Sequence, residues 1–189
     1  MFSAVLDTCV LWPSLQRDAL LSFAVEGLYR PLWSDAILHE LEYSEREKHQ
    51  RRGATPEDAS RHAAELVRTM RSAFDDACVV GWEGLDSTFG LPDQDDEHVV
   101  AAAVVGNAGA IVTDNLRHLD VPAVPVHIHV LAPARFASDT VSVDPPRALR
   151  AITAIAARYS APPMTVDEIL KTLADRYGWL DATDMLRDV

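Results

Sequence analysis

Short apolar stretches next to turn or cap residues recur along the chain, at Ala4–Leu6, Cys78–Gly81 with Trp82, Ala110–Thr113 and the alternating Val124–Leu131. Each reads as a β-strand. Between them the apolar spacing becomes helical. Ser34 stands as an N-cap before a helix over Asp35–Lys48, with Ile37, Leu38 and Leu41 on one side. Thr55, Pro56, Glu57 and Asp58 form an N-cap, a first-turn proline and two first-turn acids. They open a long helix whose Ala59, Ala63, Leu66, Val67, Met70 and Phe74 keep helical spacing. A further helix runs from about Asp95 to Asn107 and stops at Gly109. Strands alternating with helices predict an α/β fold, a three-layer α/β/α sandwich around a mostly parallel sheet.

After Pro133 strand-like runs stop. Leu149, Ile152, Ile155 and Tyr159 line one amphipathic helix, and Val166, Ile169, Leu170, Leu173 and Tyr177 line a second, which opens with Thr165 and Glu168 in capping-box spacing. A short last turn follows. The expected division is a main domain over residues 1–135 and a C-terminal helical extension over residues 136–189. About fifty residues in two or three helices bury little core alone, so the extension is expected to pack on the main domain or on a partner.

Composition narrows the function classes. The chain has 189 residues, 48% hydrophobic and 24% charged, and no apolar run long enough to cross a bilayer. Its opening MFSAVLDTCVLWP lacks a basic n-region and reads as a buried first strand of a cytoplasmic protein. Two cysteines, Cys9 and Cys78, do not form a CxxC pair and are expected to be reduced thiols. The net charge of −12 opposes passive nucleic-acid binding. The acid excess lies mainly in residues 1–135, with 21 acidic against 11 basic side chains. Carboxylates crowded around a cleft repel phosphate unless cations sit among them, which favours a metal-dependent enzyme over a binding module.

The acids fall where such chemistry would need them. Asp7 follows the first strand, at the carboxyl end where ligands gather in open α/β sheets, though a turn or cap acid would read the same way. Asp96 is expected on the apolar face of its helix with Val99, Val100 and Ala103, while Glu97 and His98 are expected to point elsewhere. Asp93, Asp95 and Asp96 lie within four residues, a hard-cation pattern that solvated loop acids also show. Glu40 flanks the apolar stripe of its helix, whereas Glu42, Glu45 and Glu47 read as an exposed charged face. Asp114 and Asn115 follow the Ala110 strand as Asp7 follows its own, and Thr113 is placed to orient a neighbouring carboxylate. Arg46, Lys48, His49, Arg51 and Arg52 form the one concentrated basic run, suited to phosphate contact or to a solvated helix end. The histidines lack metal-ligand spacing, His118 reads more readily as an exposed loop residue than as a substrate contact, and the four tryptophans form no stacking stripe.

Four blocks together resemble the signature of the PIN-domain nucleases: LDTCVLW around Asp7, SDAILHEL around Glu40, PDQDDEHVVAAA around Asp96 and IVTDNLRHL around Asp114. Their order matches, the resemblance covers roughly residues 2–135, and it is nearest to the VapC-type toxins of bacterial toxin–antitoxin pairs. It implies a single-stranded RNA endonuclease using Mg²⁺ or Mn²⁺, with Asp7, Glu40 and Asp96 as metal-site acids. The fourth place is divided between Asp114 and Asn115. Asp7 and Asp96 are expected as principal ligands, with Glu40 and Asp114 or Asn115 acting through water or on a second ion. RNA as substrate and a cognate antitoxin as partner follow from the same resemblance, which also allows a homodimer. The competing readings are a catalytically silent PIN-like interaction module and a housekeeping RNA-processing or flap-type nuclease on the same scaffold.

Overall fold

The computed structural model describes residues 1–160 and 162–189. Its centre is a five-stranded, all-parallel sheet in the order β3-β2-β1-β4-β5. The strands are β1 (Ser3–Leu6), β2 (Arg30–Ser34), β3 (Cys78–Val79), β4 (Ala110–Val112) and β5 (His129–Leu131). The central β1 pairs Val5 with Leu32 of β2 and with Ile111 of β4. Ala4, Val5 and Leu6 are fully buried, as an apolar run covered on both faces requires.

Helices flank the sheet on both sides, giving the expected three-layer α/β/α sandwich. The chain passes from β1 through α1 (Thr8–Leu11) and α2 (Ser14–Val25) to β2, then through α3 (Asp35–Arg51) and α4 (Pro56–Ala73) to β3. It returns through α5 (Glu97–Val105) to β4 and through α6 (Leu116–Leu119) to β5. Strand order runs outward on one side of β1 and then reverses to its other side. With right-handed crossovers, the early helices therefore cover one face and α5 and α6 the other. The reversal makes the carboxyl ends of β1 and β4 the topological switch point of the sheet.

β2 carries no strand signal in the sequence, because Pro31 interrupts it. The geometry shows why the proline is tolerated. The N–H of Arg30 donates to Phe2 on the β1 side and that of Trp33 to Ala77 on the β3 side. By alternation position 31 faces the β3 side, and β3 pairs only from Trp33 onward, so no ladder bond is lost. Two predicted strands are shorter than expected. Val124–Leu131 contracts to β5, because Pro122 and Pro125 turn the chain and leave Val126 96% exposed. Cys78–Gly81 contracts to β3, because Gly81 turns with φ +79° after an exposed Val80.

The capping signals act as read. The hydroxyls of Ser34, Thr55 and Thr165 accept the N–H groups of Ile37, Asp58 and Glu168, and Glu168 completes a capping box. Among the described residues the C-terminal region holds four helices rather than two and a turn: α7 (Pro133–Val143), α8 (Pro145–Arg158), α9 (Val166–Tyr177) and α10 (Leu180–Arg187). Pro133 and Pro145 each occupy a first turn, and left-handed Gly178 separates α9 from α10. α8 and α9 pack on α2. Trp179 stacks on Phe23 at 6.2 Å and Tyr29 meets Phe136 edge-on at 4.8 Å, so the extension shares one core with the sheet.

Candidate active site

Asp7 leaves the end of β1 and is anchored at once. Its N–H donates to the Val112 carbonyl of β4 at 3.1 Å, and its buried carboxylate accepts from the Thr113 hydroxyl at 2.6 Å and the Cys9 thiol at 3.2 Å. Thr113 is fully buried and also accepts the N–H of Asn115 at 2.9 Å. One hydroxyl thereby ties the end of β1 to the end of β4. Burial, then the charge of Asp7, pushes the Cys9 thiol up to about 12, so at neutral pH it is a donor and not a thiolate ligand.

Asn115 carries the connection onward, its side-chain amide donating to Asp96 Oδ2 at 2.7 Å. His118 Nδ1 lies 3.2 Å from the same oxygen and 3.6 Å from Asp93 Oδ2. Partial burial, then the charge of Asp7, raises the Asp96 carboxyl above the usual aspartate range. A carboxyl made harder to ionise by a neighbouring negative charge is one that a cation relieves. Glu40 reaches in from α3, accepting the Thr8 hydroxyl at 2.7 Å and pairing with His98 Nε2 at 3.1 Å. Burial pushes Glu40 up, but the bonds from His98 and Thr8 outweigh it and hold the carboxyl below its ordinary value.

Asp7, Glu40, Asp96 and Asn115, with Thr8, Cys9, Trp12 and Ser44, line one open pocket of about 380 Å³. Four separate chain segments thus deliver polar groups to the switch point. Asp114 lies outside that lining with an exposed side chain, and its backbone N–H donates to Cys9 Sγ. Burial and then Asp7 raise its carboxyl. No member of the basic run lines that pocket. Arg46 lies over Tyr43, Lys48 pairs with Glu45 and reaches Ser14, Arg51 bonds the Glu47 carbonyl, and Arg52 is exposed.

Several sequence readings are corrected here. Asp96 does not lie on one apolar face of α5, because Glu97 to Ala103 are all buried and no polar face exists. It closes a 3-10 turn, Gln94–Asp96, at the helix start, and the strand-end location brings it into the pocket. Glu97 and His98, expected to point away from the apolar face, are both buried. The Glu97 carboxylate accepts the N–H groups of Phe89, Gly90 and Leu91 at 2.9, 2.8 and 3.0 Å, pinning the loop before Asp96. Glu45, expected on an exposed face, is 3% exposed and bonded to Arg17 at 3.0 Å. His118 is a neighbour of Asp96 rather than a free loop side chain. Thr8, Cys9, Trp12 and His98 are not among the site residues that the sequence suggests, although each lies within five residues of an acid that is.

The donor set suits a hard divalent cation. Carboxylate and amide oxygens predominate, the one nearby thiol is protonated, and Asp93, Asp96 and His118 present ligand atoms within 4.8 Å of one another. That trio and the pocket-lining acids share Asp96. Asp93 and His118 flank the pocket, whereas Asp7 and Glu40 line it, so the lining set is the better placed to meet a substrate.

Comparison with known families agrees with this geometry. The family model described as PIN domain matches residues 3–117, and that described as VapC50 C-terminal domain matches residues 133–188. Neither the curated proteins nor the solved structures compared gave a match. With a parallel sheet in this order, acids gathered at its switch point and both segments matched, the chain belongs to the PIN-domain family as a VapC-type member.

Proposed function

We propose that this protein is a Mg²⁺- or Mn²⁺-dependent endoribonuclease, the toxic component of a toxin–antitoxin pair, acting in the cytoplasm and neutralised by a cognate antitoxin. In this reading residues 1–135 form the nuclease domain and residues 136–189 its helical extension. The observation that carries it is the convergence of Asp7, Glu40, Asp96 and Asn115 on one open pocket at the switch point.

Hydrolysis adds water across one P–O bond of the RNA backbone. It requires a nucleophile at neutral pH and relief of the negative charge that builds on the phosphoryl oxygens. Bound here, a divalent cation would supply both, by acidifying a water and neutralising phosphate. Asp7 and Asp96 would be its principal holders. Thr113 fixes the Asp7 carboxylate, and the Asn115 amide fixes that of Asp96, which keeps one geometry through the reaction. Glu40, ionised at neutral pH, offers an anionic oxygen to a water within the pocket. We assign the fourth place to Asn115, which faces the pocket, and leave Asp114 as added negative charge at its rim.

Induced expression of the wild type and of Asp7→Asn in a bacterial host, followed by mapping of cleaved RNAs, tests this reading. Growth arrest and new RNA ends are expected with the wild type only. Toxicity that persists in Asp7→Asn would contradict it.

A further inference from the structure

Next to the acid pocket lies a second cleft, of about 500 Å³, formed where α1, α2 and α3 meet the C-terminal helices. Its charged lining residues are Lys48, Arg52 and Arg176, and no carboxylate lines it. In a chain of net charge −12 this sign reversal is local. Arg52 and Arg176 are exposed, and among the described residues neither forms an ion pair with a carboxylate. Lys48, by contrast, is held by Glu45. The two arginines come from the main domain and from α9, so neither segment alone makes the cleft.

The same cleft is aromatic. Trp12 is 38% exposed, and its ring is fixed by an indole N–H donated to the Ser44 carbonyl at 3.3 Å and by Lys48 Nζ at 5.7 Å from its centroid. Tyr177 lies beneath the Arg176 guanidinium at 5.5 Å. Trp12 also lines the acid pocket, so one side chain forms a wall common to both. A cationic groove with aromatic faces, continuous with a phosphodiester-cleaving pocket, matches the needs of an unpaired strand: phosphates meet arginine and bases stack on rings.

We propose that single-stranded RNA runs from the acid pocket across Trp12 into this cleft, with Trp12 stacking a base and Arg52 and Arg176 holding backbone phosphates. The C-terminal extension is then part of the substrate site. This inference rests on the nuclease reading for its substrate, but it concerns binding and can fail separately.

The test uses the full chain, a fluorescein-labelled single-stranded RNA of about 12 nucleotides, and fluorescence anisotropy in EDTA, where metal-dependent cleavage is stopped. The wild type is expected to bind with an affinity that falls as salt rises. The double variant Arg52→Ala/Arg176→Ala should bind about tenfold more weakly at low salt. Its plot of log affinity against log salt should be shallower by about 1.4, the equivalent of two phosphates on a single strand. Trp12→Ala should lose about 5- to 100-fold with the salt slope kept, Trp12→Phe should recover most of that loss, and a duplex of equal length should bind more weakly. Thermal melts of each variant establish that it is folded. The proposal is overturned if the wild type does not bind the strand, or if the arginine variant keeps the wild-type affinity and slope. It is equally overturned if duplex binds as well as single strand, or if the arginine changes affect only capture of the antitoxin. RNA cleavage by a wild type whose binding ignores these arginines would leave the nuclease reading standing without the cleft. The expected binding pattern without metal-dependent cleavage would do the reverse.

Discussion

Thr113 offers the sharpest test of how the site is held. Its buried hydroxyl donates to Asp7 at 2.6 Å and accepts the Asn115 N–H at 2.9 Å. Thr113→Val preserves shape and removes both bonds. A hydrogen bond to a charged group is worth about 1.5–3 kcal/mol, and the half-buried Asn115 N–H left without its acceptor costs about 1 kcal/mol more. The metal-free protein should therefore lose about 2.5–4 kcal/mol in urea unfolding. Because Asp7 is no longer oriented, Mn²⁺ affinity measured by calorimetry should fall about 10- to 100-fold. Thr113→Ser restores the hydroxyl and loses only a methyl, so it should regain most of the metal affinity while remaining slightly destabilised. If Thr113→Val binds Mn²⁺ as tightly as the wild type, the idea that Thr113 organises Asp7 for metal is wrong. If its urea midpoint is also unchanged, the hydrogen-bonded hinge between β1 and β4 carries no stability.

Three further outcomes follow from the same structure. Glu45→Ala removes the carboxylate 3.0 Å from the buried Arg17 and leaves it only Asp18 at 3.8 Å, and should destabilise by about 3 kcal/mol in urea; a loss below about 1 kcal/mol would mean that water or Asp18 compensates Arg17 fully. Glu97→Gln weakens the clasp on Phe89, Gly90 and Leu91, and limited proteolysis should cut the loop before Asp96 sooner than in the wild type, an effect that equal cleavage rates would disprove. Asp35 is held below its ordinary value of 3.8, first by its hydrogen bond from Arg71; its contribution to stability is present above that value and is lost as pH falls through the lower folded value. Asp35→Asn should accordingly flatten the acid end of the stability profile below pH 3.8, read from urea midpoints, and an unchanged profile would show that the pair contributes nothing.

What the sequence discloses here is local chemistry. Ser34, Thr55 and Thr165 cap helices because a hydroxyl and an N–H three residues on need no distant partner. The β1 and β4 strands are legible because burial on both faces leaves uninterrupted apolar runs. The failures share a cause in partners far along the chain. Glu45 reads as surface until Arg17, 28 residues away, is folded against it. His98 reads as lying off the apolar face of its helix until Glu40 meets it. β2 is invisible because Pro31 is harmless only in the register that the sheet adopts. For α5 the amphipathic rule fails outright, since a helix buried all round has no polar face to mark its orientation. Asp7, Glu40 and Asp96 are legible as candidates in the sequence, but that Asn115 faces the same pocket, and that Arg176 shares a cleft with Arg52, appears only in the folded chain.

The most direct test is Mg²⁺- or Mn²⁺-dependent cleavage of single-stranded RNA by the purified full chain, measured beside Asp7→Asn and Asp96→Asn with their melting curves. Cleavage by the wild type that EDTA stops and added metal restores is expected, with both variants folded and inactive. Full metal-dependent cleavage by either folded variant, or a folded wild type that binds no divalent cation and cleaves no RNA, would contradict this expectation.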